Sequence, residues 1–480
     1  MPGFPRHSQA DFRGARLGQA FEARGPGISM QAGSRENYAP GFFYLVLTCL
    51  IARPMNSLPK ICIALSCWFL ASSISFGENL SISAVPDHPN GVYREREPIH
   101  WQIKVSSKGE PAPSSLSYVI KKGGLTPIAQ GKVTLENGVG DLSASLPEPG
   151  NLLVELKSEN GALKGAVGAV VAPEKLQVGA GCQADFDAFW KAKVDELEKI
   201  PANPVEVAAP SGNPAVTYAK ITLDNIRGTH VQGQLARPAA GEKFPALLQV
   251  QWAGVYPLQK SWVTEKAGQG WLALNILAHD LPIDEPEQFY KDQMNGALKN
   301  YTSIGNEDRE TSYFLRMFLG CRRAVEYLAS RPDWDGKTLI VIGTSQGGIQ
   351  SFVTAALFPK VTAVIVEVPA GCDPSAAAAG RAFGWPYWAA SHSPKAMETS
   401  RYYDAVHFAA RVQCPLLVGV GLADVTSPPG CVYAAYNSAQ GPKEIVPMPA
   451  ADHKAGHDAF YKRREEWLKE LVAGKAAPIP

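Results

Sequence analysis

Between about residues 79 and 172 the hydrophobic positions fall in short alternating runs, at 99–105, 115–120, 132–135 and 152–156, broken by turns such as Glu148-Pro149-Gly150. Alternation at period two marks strands with one buried face. The spacing predicts an all-β module over 78–172, of immunoglobulin-like or fibronectin-like sandwich form. After Pro173 the period changes: Asp185, Phe186, Phe189, Trp190, Val194 and Leu197 recur at helical spacing up to a stop at Pro201. Strand-like runs follow at 217–223, 231–236, 246–252 and 271–276. Near-continuous apolar strands then alternate with helical stretches, at 338–342, 361–368 and 415–420, with further strand character at 444–448. Such strands are buried on both faces, so residues 173–480 read as an α/β domain with a mostly parallel sheet.

Residues 1–54 are rich in Arg, Gly and Pro and show no sustained period apart from one apolar run at 42–52, so an unstructured upstream extension is expected there. From Met55 a short segment with Lys60, an apolar run at 61–71 and small residues at Ser75 and Gly77 reads as a signal peptide over 55–77. The run has about eleven residues where a membrane span needs about twenty, so a cleaved signal is expected rather than a stable membrane anchor. Translation is expected to begin at Met55, and the mature chain to be secreted or periplasmic.

Composition narrows the partners. With 46 Lys and Arg against 45 Asp and Glu, the formal charge of +1 leaves no excess to hold a nucleic-acid backbone. Hydrophobic residues at 45% and charged residues at 19% belong to a folded chain with a sizeable core. Three of the eight cysteines precede residue 78, leaving Cys182, Cys321, Cys372, Cys414 and Cys431, an odd number without zinc-type spacing, so no structural metal is expected.

The chemistry lies at 339–357, where a buried strand runs into Gly343-Thr344-Ser345-Gln346-Gly347-Gly348 and straight on into a helix. This is the context of a nucleophile elbow, in which a strained turn lifts the serine hydroxyl above the sheet and small flanking residues make room. Such a serine needs a histidine to take its proton and a carboxylate to orient that histidine, and in this fold both lie downstream. Asp424 follows the strand-like run at 415–422 and is better placed than Asp373 or Asp404. His453 and His457 both follow the 444–448 run; whichever is not the base reads as an exposed loop histidine. Two backbone N–H groups should face the oxyanion: Gln346 supplies one, and Val255, in the Gly turn after the run ending at Trp252, is the candidate for the second. Trp252, Tyr256 and Trp385 are the bulky residues expected to close a small acyl pocket and bind substrate. The β-module offers no nucleophile with a base, so it reads as a spacer or packing domain that the chemistry does not need.

These residues resemble the acetyl xylan esterase and cephalosporin C deacetylase family, carbohydrate esterase family seven, of the α/β-hydrolase superfamily. The resemblance runs from about Asp185 to the C-terminus. It rests on the opening helix Asp185-Phe186-Asp187-Ala188-Phe189-Trp190, the elbow, Tyr402-Tyr403-Asp404, Gly421-Leu422-Ala423-Asp424 and Gly441-Pro442-Lys443-Glu444-Ile445. It implies Ser345 as nucleophile, Asp424 as acid and His453, not His457, as base, with oxyanion donors at Gln346 and at Val255, where the family usually has tyrosine. Two positions depart from it: Leu277-Ala278-His279-Asp280 stands where an Arg-Gly-Gln is usual, and Lys454 where a glutamate is usual. The implied function is a cofactor-free serine esterase acting on acetylated oligosaccharides or other small esters. Family members assemble as closed hexamers, so the resemblance implies a homo-oligomer, with the added β-module as a potential obstruction to the closed form. The alternatives are an α/β-hydrolase for a different acyl ester and an inactive carbohydrate-binding protein that keeps the fold.

Overall fold

The computed structural model describes residues 80–107 and 111–480. The expected upstream extension at 1–54, the start at Met55 and the signal at 55–77 lie outside the described residues. Strands β1 (Leu80–Pro86), β3 (Ile99–Ser107) and β6 (Val139–Ala144) form an antiparallel sheet in the order β1-β3-β6. Strands β2 (Val92–Tyr93), β4 (Ser115–Lys122), β5 (Thr126–Thr134), β7 (Gly150–Lys157) and β8 (Lys164–Val171) form a second sheet in the order β2-β8-β7-β4-β5, antiparallel except for the parallel pair β2–β8. Ile99, Trp101 and Ile103 from the first sheet share one core with Leu116, Ile120, Leu152, Val154 and Val167 from the second.

The hydrophobic pattern predicts four strands in this region, and eight are present among the described residues. The least legible, β8, reads Lys-Gly-Ala-Val-Gly-Ala-Val-Val, and its glycine at 168 answers to a neighbour far along the chain. A Cβ on Gly168 would lie 2.0 Å from the Leu422 carbonyl oxygen, and the Gly168 N–H donates to the Pro449 carbonyl at 2.8 Å. Val170, two residues on, belongs to the core of the α/β domain. The module is therefore packed against the second domain at backbone contact, closer than a spacer would be.

The sheet of the α/β domain, the third, runs β17-β16-β15-β14-β12-β13-β11-β10-β9. Its strands are β9 (Val205–Ala208), β10 (Val216–Asp224), β11 (His230–Pro238), β12 (Phe244–Val250), β13 (Leu272–Ile276), β14 (Trp334–Thr344), β15 (Ala363–Glu367), β16 (Leu416–Gly421) and β17 (Lys443–Met448). The six from β13 to β17 are mutually parallel, and β11, β10 and β9 continue the sheet antiparallel. The edge strand β9 escapes the hydrophobic pattern because all four of its residues are exposed.

Side chains alternate across this sheet into two cores. On one face Leu248, Val341 and Val366 pack with Trp190, Phe318, Phe352 and Phe408. On the other Leu247, Ile340 and Ile365 pack with Val263 of the helix Ser261–Gly268 and with Phe460 and Trp467 of the helix Asp458–Val472. The opening helix Phe186–Glu198 is tied down by the Trp190 indole N–H, which donates to the Tyr402 carbonyl at 2.9 Å. Because β12, β14, β15, β16 and β17 are parallel, the loops after Val250, Thr344, Glu367, Gly421 and Met448 all leave from the same edge, where open α/β sheets place their sites. No helix among the described residues is long and apolar enough to cross a membrane. The five described cysteines are free thiols.

Candidate active site

Ser345 sits between β14 and the helix Gln346–Leu357 with φ 56° and ψ −119°, a conformation that L-residues avoid. What holds it there is a turn that excludes side chains. A Cβ at Gly343 would lie 2.2 Å from the Gly347 carbonyl oxygen, and one at Gly348 would lie 2.5 Å from the Pro369 side chain. The Ser345 N–H donates to the Glu367 carbonyl at 2.9 Å, and its own carbonyl accepts from Gly348 and Ala370. The Ser345 Oγ–H donates to His453 Nε2 at 2.8 Å, and His453 Nδ1 donates to Asp424 Oδ2 at 2.7 Å. Asp424 is buried, and its other oxygen accepts from the backbone N–H groups of Thr426 and Ser427 at 2.7 and 2.8 Å. The carboxylate is thus fixed by its own loop, and it fixes the tautomer of His453 with Nδ1 protonated and Nε2 free to accept. The structure brings Ser345, His453 and Asp424 into one hydrogen-bonded line.

The N–H of Gln346 opens a helix of 12 residues, so its proton carries the positive end of the helix dipole. Among the described residues neither this N–H nor that of Val255 has a protein acceptor. The Gln346 side chain is buried and accepts from the Tyr301 hydroxyl at 2.5 Å, while the Gly254 N–H donates to the same hydroxyl at 3.3 Å. Tyr301 therefore bridges the two loops that carry the predicted donors.

The aromatic residues expected on the substrate side are placed separately. Tyr256 stacks on Trp252 at 5.2 Å, and its hydroxyl donates to the Trp252 carbonyl. Trp252 lines a 410 Å³ groove with Trp262, Lys266, Thr344, Glu367 and Arg464, on the flank of the sheet. Trp385 lines a small apolar cavity with Phe314, Ile349 and Trp388. Neither cavity is lined by Ser345, Asp424 or His453.

Two further histidines are buried, one of them against expectation. His457, expected as an exposed loop residue, is buried: Nδ1 donates to Glu367 Oε1 at 2.6 Å and Nε2 to the Asp452 carbonyl at 2.8 Å. Both partners only accept, so the ring carries both protons, and its hydrogen bond to Glu367 raises its pKa above 6.5. Burial would raise the Glu367 pKa, but hydrogen bonds from His457, Thr344 and Tyr461 outweigh it and hold the carboxyl below its usual range. A glutamate closing the apolar strand β15 is the one sequence signal that marks this pair. His279, in the segment that departs from the family's Arg-Gly-Gln, is buried on its loop between the Tyr313 hydroxyl and the Gly254 carbonyl. Asp280 does stay at the surface side, accepting from the His230 N–H and from Gln232.

The family profile described as acetyl xylan esterase (AXE1) matches residues 177–471. The chain belongs to the acetyl xylan esterase family. Like its family, it is a carboxylic ester hydrolase. It is 33% identical over 405 residues to the acetyl esterase Axe7A of Xylanibacter ruminicola, an alignment that takes in 81% of this chain and 90% of that protein. Residues 177–480 make up less than two-thirds of the chain, so this likeness extends into the β-module. In fold it is similar to the acetyl xylan esterase from Paenibacillus sp. R4, with TM-score 0.54 at 22% identity, covering 62% of this chain and 98% of that one. It is similar also to acetyl xylan esterase 1 from Thermoanaerobacterium sp. JW/SL YS485, with TM-score 0.53 at 20% identity, covering 62% and 97%.

Proposed function

We propose that this family member is a secreted or periplasmic serine esterase that removes acetyl groups from acetylated sugars, xylo-oligosaccharides first, through an acetyl-enzyme intermediate. The observation that carries the reading is the unbroken line from Ser345 Oγ through His453 to Asp424, at 2.8 and 2.7 Å. Ser345 Oγ attacks the acetyl carbonyl as its proton passes to His453 Nε2, and Asp424 stabilises the imidazolium that forms. The N–H groups of Gln346 and Val255 take the charge that develops on the carbonyl oxygen. His453 then gives its proton to the departing sugar oxygen. A water molecule attacks the acetyl-enzyme, with His453 again taking the proton, and acetate leaves as Ser345 recovers its hydrogen.

Tyr256, Trp252 and Trp385 are kept as the proposed substrate-side residues that limit the acyl group to one methyl, although the cavities that Trp252 and Trp385 line do not include the triad. Residues 78–172 are assigned as an immunoglobulin-like module and 173–480 as the hydrolase domain. Residues 55–77 are assigned as the export signal. The test is turnover of a p-nitrophenyl ester series and of acetylated xylo-oligosaccharides. Specificity constants should fall more than about tenfold from acetyl to butyryl, about 1.4 kcal/mol of transition-state discrimination. A profile rising to butyryl would replace the deacetylase reading with that of a longer-acyl esterase. Ser345→Ala should remove activity by about four orders of magnitude with the fold intact; an active Ser345→Ala enzyme would overturn the serine mechanism.

A further inference from the structure

The second oxyanion donor, Val255, belongs to the same planar peptide unit as the Gly254 carbonyl. That unit is trans, so its N–H and C=O point in opposite directions, and whatever holds the carbonyl also aims the N–H. His279 Nε2 lies 3.0 Å from the Gly254 oxygen. That oxygen only accepts, so Nε2 carries the proton. Burial brings the His279 pKa down to about 4, which leaves the ring neutral with this single N–H. Nδ1 is then an acceptor and takes the Tyr313 O–H at 2.7 Å, and the Tyr313 oxygen in turn accepts from Arg316. The result is one directed series: the Arg316 guanidinium donates to Tyr313, Tyr313 to His279, His279 to the Gly254 carbonyl, and the Val255 N–H is left at the far end with no protein acceptor among the described residues. Each donor in such a series strengthens the next, and a peptide whose carbonyl is engaged has a more polarised N–H. The His279 ring is held edge-on by Tyr301 at 4.8 Å, the residue that also bridges Gly254 to Gln346.

We propose that His279 is a positioning residue for the oxyanion hole, fixing the Gly254–Val255 peptide by donating from Nε2 to the Gly254 carbonyl and so holding the Val255 N–H toward the developing oxyanion. The inference rests on the serine-esterase reading above. It is tested with His279→Leu, His279→Gln, Tyr313→Phe and Ser345→Ala, each checked for folding by circular dichroism and assayed for kcat and KM on p-nitrophenyl acetate. Loss of one oxyanion donor costs about 10²-fold in kcat. His279→Leu, which has no donor, should approach that loss with KM within about threefold of wild type. His279→Gln, whose amide N–H reaches the same carbonyl, should recover to within about tenfold of wild type. A trifluoromethyl ketone, which forms a tetrahedral adduct with an oxyanion, should lose affinity in the Leu variant in step with kcat. Equal kcat for the Leu and Gln variants, or unchanged ketone affinity, would overturn the proposal while an inactive Ser345→Ala left the esterase reading standing. An active Ser345→Ala would overturn both. Should His279→Leu not fold, Tyr313→Phe carries the test: it removes the hydroxyl that orients the ring, and a fewfold fall in kcat at constant KM is expected, whereas unchanged kcat would overturn the proposal.

Discussion

Four residues apart on one loop, His453 and His457 each donate from Nδ1 to a buried carboxylate, Asp424 and Glu367, at 2.7 and 2.6 Å. The two pairs differ in what the second ring nitrogen meets. For His453 it is a hydroxyl, which can donate or accept, so a ring protonated at Nδ1 alone directs its Nε2 lone pair at Ser345. For His457 it is the Asp452 carbonyl, which can only accept, so the ring must hold two protons. One arrangement can pass a proton back and forth, while the other is a charged clamp. It joins the residue before His453 to Glu367, whose backbone carbonyl anchors Ser345 and whose side chain accepts from Thr344 at 2.8 Å. A histidine beside a carboxylate is thus not enough to mark a base; the character of the third group decides it.

Removing the working pair should have the largest effect. His453→Ala is expected to lower turnover of p-nitrophenyl acetate by about three to four orders of magnitude with little change in melting temperature, because the side chain is partly exposed and takes part in chemistry rather than packing. His457→Ala should do the reverse. It leaves the Glu367 carboxylate buried and unpaired, which costs about 3 kcal/mol or more of stability, while turnover of the folded fraction falls only about tenfold through loss of register in the His453 loop. Chemical denaturation and initial rates on the same samples separate the two outcomes. Matching loss of activity in two equally folded variants would erase the distinction drawn here.

The clamp also has a pH signature. The His457 pKa is raised in the folded chain, so its contribution to stability is complete below about pH 6.5 and is lost as the pH rises through the folded value. For Glu367, whose folded pKa is lowered, the contribution is present above its ordinary value of 4.5 and is lost as the pH falls through the folded value. Melting temperatures measured from pH 6 upward should therefore decline more steeply for wild type than for a His457→Gln variant, which has no proton to lose. Parallel curves would show that the ring is not charged. The smallest expected effect is that of Thr344→Val, which keeps the shape of the side chain and deletes one hydrogen bond to Glu367. It should cost about 1 kcal/mol in denaturant unfolding and change turnover by less than about threefold.

How far the sequence reads into this site depends on how local each signal is. The elbow at Ser345 is legible because strand, small residues and helix are consecutive, and Asp424 because it follows a buried apolar run. The choice between His453 and His457 was not in the pattern of the loop itself and needed the family resemblance. Beyond that, legibility ends where contacts span long separations. Glu367 and His457 are 90 residues apart, and His279 meets Gly254 and Tyr313 from three separate segments, so neither network leaves a periodic trace. The parallel strands from β12 onward are visible as apolar runs, whereas β8, rich in glycine, and β9, wholly exposed, carry none. Gly168 of β8 makes sense only once the Leu422 carbonyl is seen against it, and Gly165 only once the Ile82 side chain is.

That last contact bears on what counts as a separable part. Leu422 precedes Asp424 by two residues, and Pro449, which accepts from Gly168, precedes His453 by four, so both loops that complete the triad are braced by a strand from the other side of Pro173. Cutting the chain where one architecture gives way to the other should therefore remove these two contacts from the acid and base loops. A gene fragment beginning at residue 172 would encode a whole sheet and a whole triad but leave the acid and base loops facing solvent where a neighbour belongs. Chemical denaturation of such a fragment beside the full chain would measure how much stability the bracing of these two loops contributes.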